Sequence, residues 1–269
     1  MKITSVNNEL VKETAKLLKG KYRDETGLFL IEGEKGVQEA LKVGIEIERI
    51  FVQESLINVI INEVKQSSIN FSGQLRTYPH SDFPLIIETT EAVLSKISDA
   101  KSAPKVVAVA RQLKYDIENF KNYKRVVLLE GIKDAGNLGT ILRTACAFNI
   151  DGIVLFGETV DLYNPKTVRS AVGNLWKIPV FKTSNLDYLK ENFTNFERLA
   201  TLPKGENVFA LDDYTPTERV LVMFGSEADG LSDELKAFAT KNITIEMASN
   251  VESLNLSISA GIFMYKIKD

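Results

Sequence analysis

Three short polar clusters interrupt the apolar segments of the C-terminal half, and each has side chains suited to holding and aligning a ligand. The first is Asn137-Leu138-Gly139-Thr140-Ile141-Leu142-Arg143-Thr144-Ala145, in which Asn137 suits a helix N-cap and Arg143 lies two turns into a mostly apolar helix. The second, Phe224-Gly225-Ser226-Glu227-Ala228-Asp229-Gly230-Leu231-Ser232, is a glycine-bounded turn after an apolar strand, with carboxylates at its tip. The third runs from Ile245-Glu246-Met247 to Ser253-Leu254-Asn255-Leu256-Ser257 and reads locally as a Ser-capped helix start. Each alone fits an ordinary capped helix or strand-to-helix turn. Together they place polar groups at strand ends, where open α/β sheets hold their ligands.

Other chemistries are excluded by what is missing. No G-x-G-x-x-G follows the first strand of the C-terminal half and no G-x-x-x-x-G-K-[ST] occurs anywhere, which argues against a dinucleotide dehydrogenase or a P-loop enzyme. Cys146 is the single cysteine, so there is no internal disulfide and no cysteine metal cage; its apolar surroundings predict a structural thiol. His80 is the single histidine and sits in the polar turn Tyr78-Pro79-His80-Ser81-Asp82, which predicts a solvated loop residue and leaves no His-based relay or metal site.

The elements that must position the three clusters follow from periodicity. Residues 124–269 alternate strand and helix patterns: strands at Arg125–Glu130, Gly152–Phe156, Ile178–Phe181, Val208–Leu211, Val220–Phe224 and Ile243–Ile245, and helices at Asn137–Phe148 and Ser253–Lys268. Continuous apolar strands such as Val126-Val127-Leu128-Leu129 are expected when a parallel sheet is covered on both faces. The predicted fold class is α/β, with a small α/β domain over residues 1–112, a linker over 113–123 and the main domain over 124–269. The small domain carries helices at Glu9–Lys19, Gly33–Val43 and Thr90–Ser98 and strands at Ile47–Gln53 and Val106–Arg111.

Charged residues make up 26% and hydrophobic residues 44% of the chain, a globular composition with material for a core. No apolar run approaches the ~18 residues that cross a bilayer, and the N-terminus lacks a signal-peptide stretch, so a cytoplasmic protein is expected. The net charge of −3 does not suggest a polyanionic partner, yet Lys12, Lys16, Lys19, Lys21 and Arg23 form a local basic run opposed within it by Glu13.

In wording, order and spacing the three clusters resemble the three signature motifs of the SpoU/TrmH family of SPOUT-class RNA methyltransferases. Asn164-Pro165-Lys166 with Arg169-Ser170-Ala171 resembles that family's segment between the first two motifs. The basic stretch to Arg23 and Phe29-Leu30-Ile31-Glu32-Gly33 resemble its small substrate-binding domain. The resemblance implies a trefoil-knotted domain, a homodimer, and transfer of a methyl group from S-adenosylmethionine to a ribose 2′-hydroxyl, in ribosomal RNA ahead of transfer RNA because of the extra N-terminal domain. No metal is implied.

By motif position, Gly225, Ile245, Leu254 and Met247 are expected to contact the cofactor, with Leu202 and Gly205 of the Thr201–Gly205 turn as another wall. Asn137, Arg143, Glu227, Ser253 and Asn255 make up the expected reaction centre. A guanidinium offers five N–H donors and no acceptor, so Arg143 is expected to orient phosphate and stabilise the developing alkoxide. RNA phosphates are expected at Lys12, Lys16, Lys19, Lys21 and Arg23, with Lys166 and Arg169 nearer the centre. Two positions depart from the family pattern: Glu246 stands where proline is usual, and Ser226 where asparagine is usual. The rival readings are a SPOUT-class base methyltransferase and an RNA-binding assembly factor without activity.

Overall fold

A computed structural model describes residues 1–69, 83–248, 251 and 253–268. His80 lies outside the described residues. The chain divides into two compact units, residues 1–113 with 161–176, and residues 114–160 with 177–269.

The first unit is built on a five-stranded sheet. Its elements in chain order are β1 (Lys2–Ile3), α1 (Glu9–Lys16), α2 (Gly20–Thr26), β2 (Leu28–Glu32), α3 (Glu34–Val43), β3 (Ile47–Gln53), α4 (Ile57–Ile69), β4 (Leu85–Thr89), α5 (Glu91–Lys96) and β5 (Val106–Arg111). The strand order is β1-β4-β3-β5-β2, parallel from β1 to β3 and antiparallel from β3 through β5 to β2. Local chemistry sets the helix ends. Asn8 Oδ1 accepts the Leu10 N–H at 3.0 Å and caps α1, Thr90 caps α5, and Gly44 closes α3 in the left-handed region at φ 74°. The predicted helix to Lys19 breaks after Lys16, and a second helix begins at Gly20.

The second unit is a seven-stranded sheet in which every neighbouring pair runs parallel. Continuing the chain, its elements are β6 (Arg125–Glu130), α6 (Ala135–Ala147), β7 (Gly152–Phe156), then α7 (Pro165–Ala171), which folds with the first unit, β8 (Val180–Thr183), α8 (Leu186–Asn192), β9 (Glu197–Thr201), β10 (Phe209–Ala210), β11 (Val220–Phe224), α9 (Asp233–Phe238), β12 (Lys241–Thr244) and α10 (Leu256–Ile267). The order is β10-β12-β9-β11-β6-β7-β8.

Strand alternation sorts the core into two faces. Val126, Leu128, Leu221 and Met223 pack with Phe120, Leu189, Phe193 and Leu235 from the 117–122 segment, α8 and α9. On the other face Phe224 meets Phe263 of α10 edge-on, with ring centroids 5.4 Å apart, and α10 packs along α6. Both faces are covered, as continuous apolar strands require. No helix among the described residues is long and apolar enough to cross a membrane.

Several boundaries move. The strand expected at Ile178–Phe181 is Val180–Thr183, starting after Pro179, which cannot donate to a ladder. That expected at Ile243–Ile245 is Lys241–Thr244, and the one at Val208–Leu211 shrinks to two edge residues. β9 has no strand signature in the sequence, because Glu197 and Arg198 break its apolar pattern, yet it lies between β12 and β11.

The segment 161–176 joins the first unit through charge and ring contacts. Arg23 is 2% exposed, and its guanidinium pairs with Asp161 at 2.6 Å and donates to the Leu17 carbonyl. Arg169 pairs with Glu32 at 2.8 Å and also with Asp99. The Tyr163 ring lies tilted at 46° against Phe29 with centroids 4.7 Å apart, and its hydroxyl exchanges hydrogen bonds with both backbone groups of Leu113.

Candidate active site

A cleft of about 530 Å³ opens in the second unit beyond the carboxyl ends of β9, β11 and β12. Of these, β11 is the neighbour of β6, where the chain, having laid β7 and β8 on one side, returns to build the other: the switch point at which open parallel sheets bind ligands. The cleft is lined by Leu202, Gly225, Glu227, Ile245, Met247, Ser253 and Leu254 of the expected site, together with Thr201, Pro203, Asp229, Thr244 and Phe263. Gly205 and Arg143 do not line it.

The loop after β11 is shaped by its own side chains. A Cβ on Gly225 would lie 1.9 Å from the carbonyl carbon of Gly230, so only glycine allows the loop to close. Ser226 Oγ accepts the Asp229 N–H at 3.0 Å, and the Gly230 N–H returns to the Ser226 carbonyl at 3.0 Å. The serine hydroxyl at this departure from the family pattern thus supplies one of the turn's own hydrogen bonds. Glu130 at the end of β6 accepts the Ser232 N–H at 2.7 Å and anchors the loop's exit. The other departure, Glu246, pairs with Lys204 at 3.4 Å on the surface, where such a contact adds little.

The three polar clusters are joined through Asn137, which bonds to Glu227 of the second and to Asn255 of the third. Asn137 Nδ2 donates to Glu227 Oε1 at 2.6 Å, and Asn255 Nδ2 donates to Asn137 Oδ1 at 3.1 Å. Neither asparagine belongs to the cleft lining, but both are tied to the carboxylate that does. The chain of bonds depends on which residues cap the helices. The N-cap of α6 is Asp134, whose Oδ1 accepts the Asn137 N–H at 2.8 Å. This corrects the expectation that Asn137 caps α6: Asp134 does so three residues earlier and leaves the Asn137 carboxamide for Glu227. Asn255, not a serine, caps α10, with Oδ1 accepting from both the N–H and the hydroxyl of Ser257 at 2.9 and 2.6 Å. Its amide nitrogen remains for Asn137.

Arg143 is exposed on α6 and has no ion pair or hydrogen bond among the described residues. Cys146 is half-buried, and burial pushes its thiol above the ordinary value, as suits a structural residue. No cluster of His, Cys, Asp or Glu able to hold a metal occurs among the described residues.

The basic positions divide. Lys12, Lys16, Lys19 and Lys21 are exposed on α1, α2 and the turn between them, and Lys166 is exposed on α7. Arg23 does not belong with them: its guanidinium is buried and committed to Asp161 and Leu17, so no phosphate can reach it. The charge of Arg169 is likewise opposed, by Glu32 and Asp99.

The SpoU rRNA Methylase family model matches residues 124–265, and an MRM3-like substrate binding domain matches residues 8–108. An uncharacterized tRNA/rRNA methyltransferase of Synechocystis is 30% identical, over 99% of this chain and 93% of its own length. The Bacillus subtilis 23S rRNA (guanosine(2553)-2′-O)-methyltransferase RlmP is 29% identical, over 99% and 98%. Among solved structures, an AdoMet-bound rRNA methyltransferase from Sinorhizobium meliloti superposes with a TM-score of 0.84 at 28% identity, covering 99% of this chain and 96% of that one.

Proposed function

The chain belongs to the SpoU rRNA methylase family, and from that premise we propose that it transfers a methyl group from S-adenosylmethionine to a ribose 2′-hydroxyl of ribosomal RNA. The observation that carries the reading is the chain of hydrogen bonds from Asn255 through Asn137 to Glu227 at the rim of the cleft. The Bacillus subtilis and Sinorhizobium meliloti proteins, named for 2′-O-methylation of 23S rRNA and for bound AdoMet, support it over the full length of the chain.

The cleft fits such a donor. Its volume of about 530 Å³ lies within the range of small-ligand sites. Leu202, Ile245, Met247 and Leu254 offer apolar walls for a purine ring, and Glu227 and Asp229 favour a positively charged ligand. When bound, S-adenosylmethionine supplies a methyl group made electrophilic by its positively charged sulfur. The protein's task is to bring one hydroxyl into line and support the charge that develops on its oxygen. Glu227 uses Oε1 for Asn137, which leaves Oε2 to accept from the hydroxyl, and each asparagine keeps a second N–H for the substrate. Exposed and unpaired, Arg143 serves the RNA phosphate and the developing alkoxide. Ser253 lines the cleft beside Leu254 and completes the centre.

RNA phosphates lie against Lys12, Lys16, Lys19 and Lys21, with Lys166 as a further contact, and residues 1–112 act as the substrate-binding domain. The second unit pairs with its copy through α10, whose buried side (Leu256, Ala260, Phe263, Met264, Ile267) faces the core. Ile258, Ile262 and Tyr265 form an exposed apolar stripe on the opposite side, 53%, 39% and 59% exposed. The trefoil knot and a cytoplasmic location complete the proposal and rest on the same membership.

The test is incubation of the full-length protein with unmodified ribosomal RNA and labelled S-adenosylmethionine, followed by alkaline hydrolysis. A 2′-O-methyl group blocks cleavage of the adjacent phosphodiester, so the label is expected in an alkali-resistant dinucleotide. Label recovered only in mononucleotides would mean base methylation, and none at all would leave an RNA-binding factor.

A further inference from the structure

A second cavity, of about 230 Å³, lies wholly within the first unit, between the start of α3 and the end of α7. Its polar equipment is unusual. Glu32 lines it with a side chain only 2% exposed; Oε2 accepts from Ser98 at 2.9 Å and Arg169 at 2.8 Å, whereas Oε1 has no hydrogen-bond partner. It is the one unfilled buried side-chain polar atom among the described residues lining the cavity. Burial pushes the Glu32 carboxyl above its ordinary value in spite of Arg169 and Ser98, the mark of a carboxylate short of donors. Beside it stands the N-terminus of α3, ten residues long, whose N-cap is Gly33 and which has no side-chain cap. The first-turn amides of Glu34, Lys35 and Gly36 therefore face outward as donors.

The walls are apolar: Ile31, Val168 and Val172. Val172 holds φ 49°, ψ 49°, a left-handed conformation that a β-branched residue adopts only under constraint. One buried acceptor, a row of donors and aliphatic walls suit a flat, neutral, hydrogen-bonding group. A free anion is disfavoured, because Glu32, Glu34 and Asp99 outnumber Arg169 and Lys35 around the site.

We propose that this cavity is a subsite for one unpaired RNA base, its N–H directed at Glu32 Oε1 and its ring acceptor at the α3 amides, between the side chains of Val168 and Val172. Single-stranded bases are read in this way, edge-on by hydrogen bonds and face-on by packing. The volume suits a single base better than a whole nucleotide cofactor. The proposal rests on the RNA-methylating reading of the chain, and it gives the first unit a base-reading role besides its lysine contacts to phosphate.

Short unstructured RNAs with one 4-thiouridine can be irradiated with the full-length protein and the crosslinked peptides mapped. Crosslinks within residues 31–36 or 168–173, competed by unlabelled RNA, are expected. Trp176, the single tryptophan, neighbours Gly173 at the cavity and reports affinity by its fluorescence. Glu32→Gln replaces the free acceptor while keeping a carbonyl for Arg169, and should weaken binding roughly tenfold, the loss of one hydrogen bond to a charged group. Crosslinks confined to the lysines of α1 and α2, or to the cleft of the second unit, would overturn the subsite. That map is read on the unaltered protein, so it decides even if Glu32→Gln does not fold. Methyl transfer by the same preparation is scored separately: activity without cavity crosslinks refutes the subsite alone, and cavity crosslinks without activity refute the enzymatic reading alone.

Discussion

Asn255 performs two tasks with one side chain, and substitution can separate them. Its Oδ1 caps α10 and its Nδ2 holds Asn137, which in turn holds Glu227. Asn255→Ala removes both. Loss of an N-cap costs about 1 kcal/mol and loss of a neutral hydrogen bond about another 1 kcal/mol. The sum of about 2 kcal/mol corresponds to a fall of roughly 4–8 °C in the melting temperature of a domain this size. Asn255→Ser keeps a capping oxygen for the Ser257 N–H and loses only the amide donor, so it should recover about half of that fall. Activity should divide differently. Both variants release the Asn137 carboxamide, and kcat/KM for methyl transfer should drop by the same ~10–100-fold, or about 1.4–2.7 kcal/mol of transition-state stabilisation. Thermal unfolding followed by circular dichroism, beside methyl transfer at saturating donor, reads both quantities. If Asn255→Ser is fully active, the bond to Asn137 contributes nothing to the reaction; if it melts with Asn255→Ala, the cap has been assigned to the wrong atom.

Arg143→Lys should retain measurable methyl transfer and Arg143→Ala should lose ~10²–10³-fold, while both bind donor normally by calorimetry; equal loss in the two would show that positive charge alone is not what this position supplies. Gly225→Ala should abolish donor binding with the circular dichroism of the rest of the chain preserved, since its Cβ would fall 1.9 Å from the Gly230 backbone; normal binding would mean that the loop does not need this closure. Neutralising Lys12, Lys16 and Lys19 to glutamine should flatten the log–log salt dependence of RNA binding by about 2–3, and an unchanged slope would remove α1 and its following turn from the RNA surface.

Much of this arrangement was legible because buried parallel strands announce themselves. β6, β7 and β11 were read to the residue from unbroken apolar runs. β9 escaped because Glu197 is satisfied by partners remote in sequence, Tyr214 and Lys241, and Arg198 by the Phe238 carbonyl together with those of Phe193, Thr194 and Phe196. The meeting of the three clusters followed from motif resemblance, whereas the capping that frees their side chains did not. Asp134 precedes Asn137 by three residues, a spacing that marks an N-cap, but two capping-type residues in one loop compete and the sequence alone does not choose. Arg23 shows the opposite failure. It closes a run of exposed lysines, and nothing local reveals that Asp161, distant in the chain, draws it inward. The Glu32 cavity was invisible for the same reason, since its far wall comes from residues 168–173.

That late-arriving wall bears on how the protein is made. A ribosome that has released the first 113 residues has delivered Arg23 and Glu32 but not Asp161 or Arg169. Until residue 169 emerges, both charges must stay in water or be buried without their counter-ions, a state that costs several kcal/mol per ion. A truncation after Leu113 freezes the nascent chain at that stage. Shortened versions made to study RNA capture in isolation should therefore be joined to residues 161–176 before their behaviour is taken for that of the intact chain.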